Sequence, residues 1–239
     1  MSVDTVVLPG IPASALGDWR SAAQLIDQTL LKPEAKRSDI VAVCGDAAKY
    51  GTQCVVVHPS YVTLAVAQLR GTPVKVATVI GFPLGANVTV TKLAEAELAL
   101  HNGARELEMV INVGALKSGD RVLVRSEMHS MAELAHSGRA LLKVIVENAL
   151  LSQEEKILAC ALAKDVGADF VKTSTGFAAS GATTGDVALM RGVVGHALGV
   201  KAAGGIRTAA GFLAMVDAGA NRIGTSSGVA ILRELGAPE

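Results

Sequence analysis

The chain has 239 residues, of which 50% are hydrophobic and 3% aromatic, and its 22 basic residues balance its 22 acidic residues. This composition lacks a basic tract, which argues against a nucleic-acid partner, and its longest apolar runs are too short to span a bilayer. The three cysteines have no metal-ligand spacing and the histidines are scattered. They predict reduced thiols in a cytoplasmic protein that binds no metal.

The first part of the chain predicts a lead-in before the main fold. Residues up to about Pro12 are expected to pack lightly, and residues 13–24 to form a short helix. An apolar run at 25–31 predicts the first strand. A helix capped by Ser38–Asp39 then follows, and it runs to Tyr50.

From this point one module recurs: a helix, a glycine, a short apolar strand and a loop. The glycine closes the helix in a left-handed conformation, as at Gly103 and Gly167. Eight strands are predicted, at 25–31, 53–57, 75–80, 106–111, 141–146, 169–173, 198–202 and 221–224.

Strands that alternate with helices predict parallel crossovers, and eight such units in a chain of this length predict a (β/α)₈ TIM barrel. An open doubly wound sheet is the alternative. It is disfavoured because no glycine-rich dinucleotide loop follows the first strand. The length also allows two small domains, but no linker or change of composition divides the chain. Residues 1–239 are therefore predicted to form one domain.

Two lysines stand at or near the ends of neighbouring strands, Lys172 on the sixth and Lys201 on the seventh. Burial favours the neutral form of a lysine, and a neutral amine attacks carbonyl groups to form a Schiff base. Adjacent strands lie about 4.8 Å apart. The two amines are therefore expected to be close, and each positive charge lowers the pKa of the other.

Two more charged residues interrupt apolar strands. Glu108 lies in the fourth strand and Lys143 in the fifth. A charge inside a strand is costly unless it is paired, so these two side chains are expected to meet across the barrel. The pair could be purely structural, or the carboxylate could exchange protons with the neighbouring lysines.

Small-residue loops follow the last two strands, at 203–208 and 223–228. In a TIM barrel these positions form the usual phosphate site, because glycine lets backbone N–H groups approach the anion. The residues alone therefore predict a barrel enzyme that acts on a phosphorylated carbonyl compound through an amine nucleophile.

Five stretches, in order along nearly the whole chain, resemble the deoxyribose-phosphate aldolase family of class I aldolases: residues 26–33, 77–85, 108–114, 171–176 and 201–208. The resemblance implies reversible cleavage of 2-deoxy-D-ribose 5-phosphate to D-glyceraldehyde 3-phosphate and acetaldehyde. It implies no metal and no organic cofactor, and it suggests a homodimer.

The resemblance also implies a role for each matched residue. Lys172 is the Schiff-base lysine, Lys201 is its proton-sharing neighbour, and Glu108 stands where the family carries an acid/base aspartate. The residues implied in substrate binding are Asp27, Thr29, Lys143 and Thr175. Those implied in phosphate binding are Gly176, Gly204, Gly205, Gly224, Ser226 and Ser227.

Glutamate at position 108 keeps the acid but adds one methylene, which leaves alternatives open. Either the backbone compensates for the added length, or proton transfer is slower, or the preferred aldehyde differs. A phosphosugar-binding barrel without catalysis is a second hypothesis, although binding alone does not need a buried amine pair. A metal-free isomerase is a third, but its carboxylate or histidine base leaves Lys172 unexplained.

Overall fold

The computed structural model describes residues 12–239, and the strands in this part of the chain close into one parallel barrel. Each strand pairs with the next in sequence, and the last pairs with the first. The strands are β1 Ile26–Leu30, β2 Cys54–Val57, β3 Lys75–Ile80, β4 Glu106–Val110, β5 Leu141–Ile145, β6 Phe170–Lys172, β7 Gly199–Ala203 and β8 Arg222–Thr225. The predicted (β/α)₈ barrel is confirmed.

Helices separate the strands and surround the barrel. Within the described residues they are α1 Trp19–Ala23, α2 Arg37–Tyr50, α3 Val62–Gln68, α4 Thr89–His101, α5 Val113–Lys117, α6 Arg121–Ser137, α7 Gln153–Asp165, α8 Thr184–Val194, α9 Ala209–Asp217 and α10 Gly228–Glu234. None of these helices has the length and apolar character needed to cross a bilayer. The mobility or light packing predicted up to about Pro12 falls mainly on residues 1–11, which lie outside the described residues.

Two helix starts differ from the prediction. The single helix expected at 13–24 is wrong: a 3₁₀ turn at Ala13–Ala15 precedes α1, whose N-cap is Asp18. The Asp18 carboxylate accepts hydrogen bonds from two backbone N–H groups of α1, which makes it a better helix start than the preceding residues. Lys36, rather than Ser38, caps α2, because the Asp39 carboxylate reaches back to its N–H at 2.8 Å.

The strands alternate between two environments, as their period of two requires. Outward side chains such as Val55, Leu107 and Val144 pack with the helices in the large apolar core. Inside the barrel, a small apolar group occupies the side of β2 and β3; it consists of Leu31, Cys54, Val56, Ala77 and Val79. The rest of the interior, from β4 round to β1, is therefore left for other side chains.

Phe170 forms part of the floor of that remaining interior, and Gly199 is the residue that makes room for it. The two are register partners on β6 and β7. A Cβ at Gly199 would lie 2.1 Å from Cε1 of the Phe170 ring. The ring in turn faces the cations of Lys143 and Arg222, at 5.9 and 5.3 Å from its centre.

We expect Gly199→Ala to lower the free energy of unfolding by about 1–3 kcal/mol. The added methyl group would overlap the buried Phe170 ring and overpack the barrel interior. Gly192→Ala is the matched control. Gly192 lies within α8 and has no atom within 4 Å of its added Cβ, so alanine there should stabilise the helix slightly. Urea unfolding of both variants measures the effect, and equal stability of the two would contradict this account of the barrel floor.

Candidate active site

The part of the barrel interior that is not apolar is filled by charged side chains. They come from six strands, β1 and β4 to β8, and all are at least nine-tenths buried. The cations are Lys143, Lys172, Lys201 and Arg222, and the anions are Asp27, Glu106 and Glu108. Each member is in an ion pair, so the cost of burying its charge is offset by its neighbours.

Glu108 joins the two lysines that the sequence singles out. One of its carboxylate oxygens accepts from Lys172 Nζ at 2.7 Å, and the other from Lys201 Nζ at 2.5 Å. The second oxygen also accepts from Lys143 Nζ at 3.1 Å, so the predicted meeting of Glu108 and Lys143 is confirmed. The longer glutamate side chain thus reaches both lysines within hydrogen-bond distance.

Asp27 occupies the centre of the deeper layer. Its Oδ2 accepts from Lys143 Nζ at 2.6 Å and from Lys201 Nζ at 2.5 Å, while its Oδ1 accepts from Arg222 at 2.6 Å. Glu106 pairs with Lys143 at 2.6 Å and with Arg222 at 3.3 Å. Lys201 therefore stands between the two layers and links Glu108 to Asp27.

The environments of the lysines push their pKa values in opposite directions. Burial lowers the pKa of Lys172; Glu108 opposes this shift and the Lys201 charge adds to it, and the net direction is downward. Burial acts the same way on Lys143, but the Asp27 and Glu106 carboxylates outweigh it and hold the Lys143 pKa well above its ordinary value. Of these two lysines, Lys172 is therefore the one that loses its proton more easily.

Two of the carboxylates, Asp27 and Glu108, are held ionised by the same cluster. Burial acts to raise the pKa of Asp27, but Arg222, Lys143 and Lys201 outweigh it and keep that pKa well below its usual range. The pKa of Glu108 is likewise lowered, because the three lysines outweigh its burial. Four cations face three carboxylates when every group is charged. The cluster becomes neutral when one lysine gives up its proton, and Lys172 is the lysine whose pKa is lowered.

Above the cluster, a cavity of about 270 Å³ opens at the carboxyl ends of the strands. Lys172 lies in its wall and is the cluster member that reaches it. The loops after β7 and β8 contribute small residues, and Lys32 and Arg207 add exposed positive charge at the rim. The cavity thus has an amine at one side and backbone-rich, positively charged loops at the other.

Two glycines are needed to bring these loops and side chains together. A Cβ at Gly224 would lie 2.8 Å from Cε of Lys201, so glycine lets the lysine pass across β8. A Cβ at Gly181 would lie 2.2 Å from the carbonyl oxygen of Gly204. The loop after β6 therefore rests directly on the loop after β7, where Ala182 N–H also donates to the Ala203 carbonyl at 3.1 Å.

The structure divides the residues implied by the resemblance into two groups. Those in the cavity wall are Thr29, Lys172, Thr175, Gly176, Gly204, Gly205, Gly224 and Ser226. Those outside the wall are Asp27, Glu108, Lys143 and Lys201, which lie in the buried cluster, and Ser227, whose N–H donates to Thr225 Oγ1. Asp27 and Lys143 are fully occupied by ion pairs, so they lie beneath the cavity and do not line it.

Thr29 and Thr175, which both lie in the wall, already use their hydroxyl protons. Thr29 Oγ1 donates to the Asp27 carbonyl at 2.8 Å, and Thr175 Oγ1 donates to the Glu147 carboxylate. A hydroxyl has one proton to give and two lone pairs. Towards a bound molecule, these side chains can therefore act only as hydrogen-bond acceptors.

Three functional residues were missed by the sequence reasoning. Arg222 and Glu106 complete the deeper ionic layer, and Glu147 holds Thr175 in place. Arg222 and Glu106 had a signal: each is a charged residue at an inward position of a predicted strand. Glu147 follows a strand in the sequence, where an exposed glutamate is ordinary, so its burial had no signal.

Among the described residues, Asp27, Cys54 and Glu106 have ligand atoms close enough together to hold a metal ion. The two carboxylates are already paired with Lys143 and Arg222, and burial, followed by the nearby carboxylates, raises the pKa of the Cys54 thiol well above its usual value. A cysteine binds a metal as its thiolate, and this site disfavours the thiolate form of Cys54. The donor set is therefore poorly suited to a cation.

Comparisons with known proteins agree with one another. Residues 21–235 match the model of a family described as DeoC/LacD family aldolase. A curated deoxyribose-phosphate aldolase of Thermococcus kodakarensis is 55% identical over 222 residues, which is 92% of this chain and 98% of the relative. One of Streptococcus pneumoniae is 55% identical over 87% of this chain and 94% of its own length. A solved deoxyribose phosphate aldolase of Aeropyrum pernix, described as tetrameric, has a TM-score of 0.87 and 35% identity over 98% of this chain and 97% of that one.

Arg222→Met tests the ionic cluster. We expect it to lower the free energy of unfolding by about 3–5 kcal/mol, because Asp27 and Glu106 lose a buried partner. Arg125→Met, which breaks an exposed pair with Asp165 on the outer surface, is the control and should change stability little. Urea unfolding measures both variants. Equal losses in the free energy of unfolding would show that the buried ion pairs of Arg222 stabilise the protein no more than an exposed pair does.

The same Arg222→Met variant should also raise the pKa of Lys172. Without Arg222, three cations face three carboxylates, so the cluster is neutral with Lys172 protonated. The pH at which the Lys172 amine becomes reactive towards a small aldehyde should therefore move upward, as measured by adduct yield after borohydride reduction. An unchanged pH profile would mean that the charge balance does not control this amine.

Proposed function

Because the chain belongs to the DeoC/LacD family of aldolases, we propose that it reversibly cleaves 2-deoxy-D-ribose 5-phosphate to D-glyceraldehyde 3-phosphate and acetaldehyde through a Schiff base on Lys172. It is a carbon–carbon lyase. The relatives named deoxyribose-phosphate aldolase, at about 55% identity over about nine-tenths of the chain, support this reaction. The observation that carries the mechanism is a lysine of lowered pKa in a cavity wall, hydrogen-bonded to a carboxylate that also binds a second lysine.

In the first step, the neutral amine of Lys172 attacks the aldehyde carbon of the open-chain sugar. The resulting carbinolamine loses water and becomes an iminium ion, which restores the positive charge that Lys172 had given up. The oxygen that leaves as water needs a proton, and the chain of Lys201, Glu108 and Lys172 can deliver it across contacts of 2.5 and 2.7 Å. Glu108 then stabilises the iminium as its counter-ion.

The carbon–carbon bond breaks in the second step. A base takes the proton of the C3 hydroxyl, the C2–C3 bond breaks, and its electrons flow into the iminium to give an enamine and D-glyceraldehyde 3-phosphate. Protonation of the enamine at C2 and hydrolysis then release acetaldehyde and regenerate the Lys172 amine. We assign these proton transfers to Glu108 and Lys201. Asp27 holds Lys201 from the deeper layer by accepting its hydrogen bond, and Lys143 in turn donates to Asp27.

The phosphate group is assigned to the loops after β6, β7 and β8. Gly176, Gly204, Gly205, Gly224 and Ser226 lie in the same cavity wall as Lys172. Backbone N–H groups and the exposed Lys32 and Arg207 suit a dianion. Ser227 lies outside this wall, at the N-cap position of α10, and its N–H already donates to Thr225 Oγ1. Thr29 and Thr175 are placed to accept hydrogen bonds from sugar hydroxyl groups.

The buried network argues against the non-catalytic reading. A phosphosugar-binding protein needs the loops, but it gains nothing from an amine of lowered pKa joined to a second lysine. Glu108 lies within hydrogen-bond distance of both lysines, which favours retention of the proton route despite the added methylene. Three further expectations remain proposals: one domain over residues 1–239, a homodimer and a cytoplasmic location. The three cysteines, which are free and buried, are compatible with the last.

Lys201→Arg separates the charge of Lys201 from its proton-transfer role, since arginine keeps the charge but does not release its proton near neutral pH. We expect acetaldehyde followed by borohydride to leave an ethyl group on Lys172 in both the parent and the variant. We expect kcat to fall by roughly 10²–10⁴-fold in the variant. Mass spectrometry of peptides locates the adduct, and an assay of D-glyceraldehyde 3-phosphate measures kcat.

The control for this experiment is Lys164→Arg, at an exposed position near the end of α7, which should behave as the parent. An adduct mainly on Lys201, or on a lysine outside the cluster such as Lys156, would overturn the Schiff-base assignment. Turnover of Lys201→Arg near the parental rate would remove the proton-transfer role from Lys201 and leave it as a source of charge alone.

The phosphate assignment predicts a substrate-dependent effect of Ser226→Asp. A carboxylate in the cavity wall repels a phosphate, so kcat/KM for the sugar phosphate should fall by at least about tenfold, which corresponds to about 1.4 kcal/mol. The value for 2-deoxyribose without phosphate should change much less. Ser137→Asp, at an exposed position at the end of α6, is the control. An equal fall for both sugars would contradict the phosphate site.

A further inference from the structure

A second cavity, of about 370 Å³, lies beside the substrate cavity at the same end of the barrel. It is formed by the loops that follow β3, β4, β5 and β6, and its wall is mostly apolar, with Leu84, Val113, Leu150 and Phe177 among its members. Thr175 and Phe177 belong to the walls of both cavities. The two cavities are therefore neighbours with a common partition, and the second is the more apolar of the two.

One acidic side chain, Glu147, lies in the apolar wall. Glu147 is 3% exposed. One oxygen of its carboxylate accepts hydrogen bonds from the N–H and the hydroxyl of Thr175. The other oxygen, Oε1, is buried and has no hydrogen-bond partner among the described residues. None of the ion pairs formed by these residues includes Glu147, so no cationic side chain pairs with its carboxylate.

This combination specifies a kind of ligand. A buried polar oxygen without a partner is unfavourable, and a buried carboxylate without a cation is more so. A hydrogen-bond donor that carries positive charge satisfies both needs, while the apolar walls favour a hydrocarbon body. An anionic phosphosugar fits neither feature, because the carboxylate repels it and the walls offer it no donors.

We propose that this cavity binds a small organic ammonium ion, with a hydrocarbon body of about six to eight carbons and an ammonium head that pairs with the Glu147 carboxylate in its wall. The site is separate from the substrate cavity, and its existence does not depend on the aldolase reaction.

The probe is benzylamine, which is an ammonium ion at pH 7.5, titrated calorimetrically into the parent protein without any aldehyde. We expect saturable binding at one site. Glu147→Gln should weaken this binding by at least about tenfold, as loss of a charge-assisted hydrogen bond predicts. Benzyl alcohol, which has the same ring without the charge, should bind the parent at least about tenfold more weakly than benzylamine.

Two variants keep the test decisive if Glu147→Gln disturbs the loop that holds Thr175. Ala178→Trp fills the cavity while Glu147 remains intact, and it should abolish binding. Val122→Trp adds the same side chain at an exposed position on α6 and should bind as the parent does. Circular dichroism and thermal unfolding confirm that each variant is folded.

Saturating inorganic phosphate serves as the competitor for the substrate cavity, and benzylamine affinity should be unchanged in its presence. Loss of binding with phosphate would place the amine in the substrate cavity and overturn the proposal. Equal affinity for the parent, Glu147→Gln and Ala178→Trp would overturn it as well, as would the absence of saturable binding to the parent.

Discussion

The charge balance inside the barrel is the constraint on which the rest of this site depends. Four cationic side chains and three carboxylates share a space closed to solvent, so one positive charge is in excess when all are ionised. Arg222 and Lys143 are held charged by the deep carboxylates, which leaves the excess to be relieved nearer the cavity. Lys172 is the cluster member in the cavity wall, and its pKa is lowered. Its reactivity is thus a property of the whole interior.

The scaffold keeps this cluster apart from both solvent and the apolar core. Outward residues of each strand pack against the helices, while the inward residues of β2 and β3 form a small apolar group. The ionic residues occupy the other side, over the Phe170 ring, with glycines at Gly199 and Gly224 where bulk would collide with that ring or with Lys201. Loops from neighbouring strands then build two cavities above this layer of side chains, one with a mixed lining and one that is mostly apolar.

Glu108 shows how a longer acid can be accommodated in such a layer. Its carboxylate spans Lys172 and Lys201 from a fully buried position, with Lys143 as a third donor. The extra methylene is taken up by the side chain's own reach, since the register of β4 against β5 remains regular through Glu108 and Lys143. The proton route between the two lysines is therefore continuous, while the roles of its members rest on the kinetic and adduct measurements.

The sequence by itself determined the alternation of strands and helices, the barrel, the two strand-end lysines and the meeting of Glu108 with Lys143. These depend on local periodicity and on neighbouring strands, which sequence patterns report directly. Only the tertiary structure decided that Arg222 neutralises Asp27, because that contact joins residues 195 positions apart where β8 closes onto β1. It also decided that Glu147 is buried against Thr175, since the depth of a loop side chain depends on the loops packed around it. Strand parity assigns a side chain to a face of the sheet, but the partners that meet there depend on closure of the barrel.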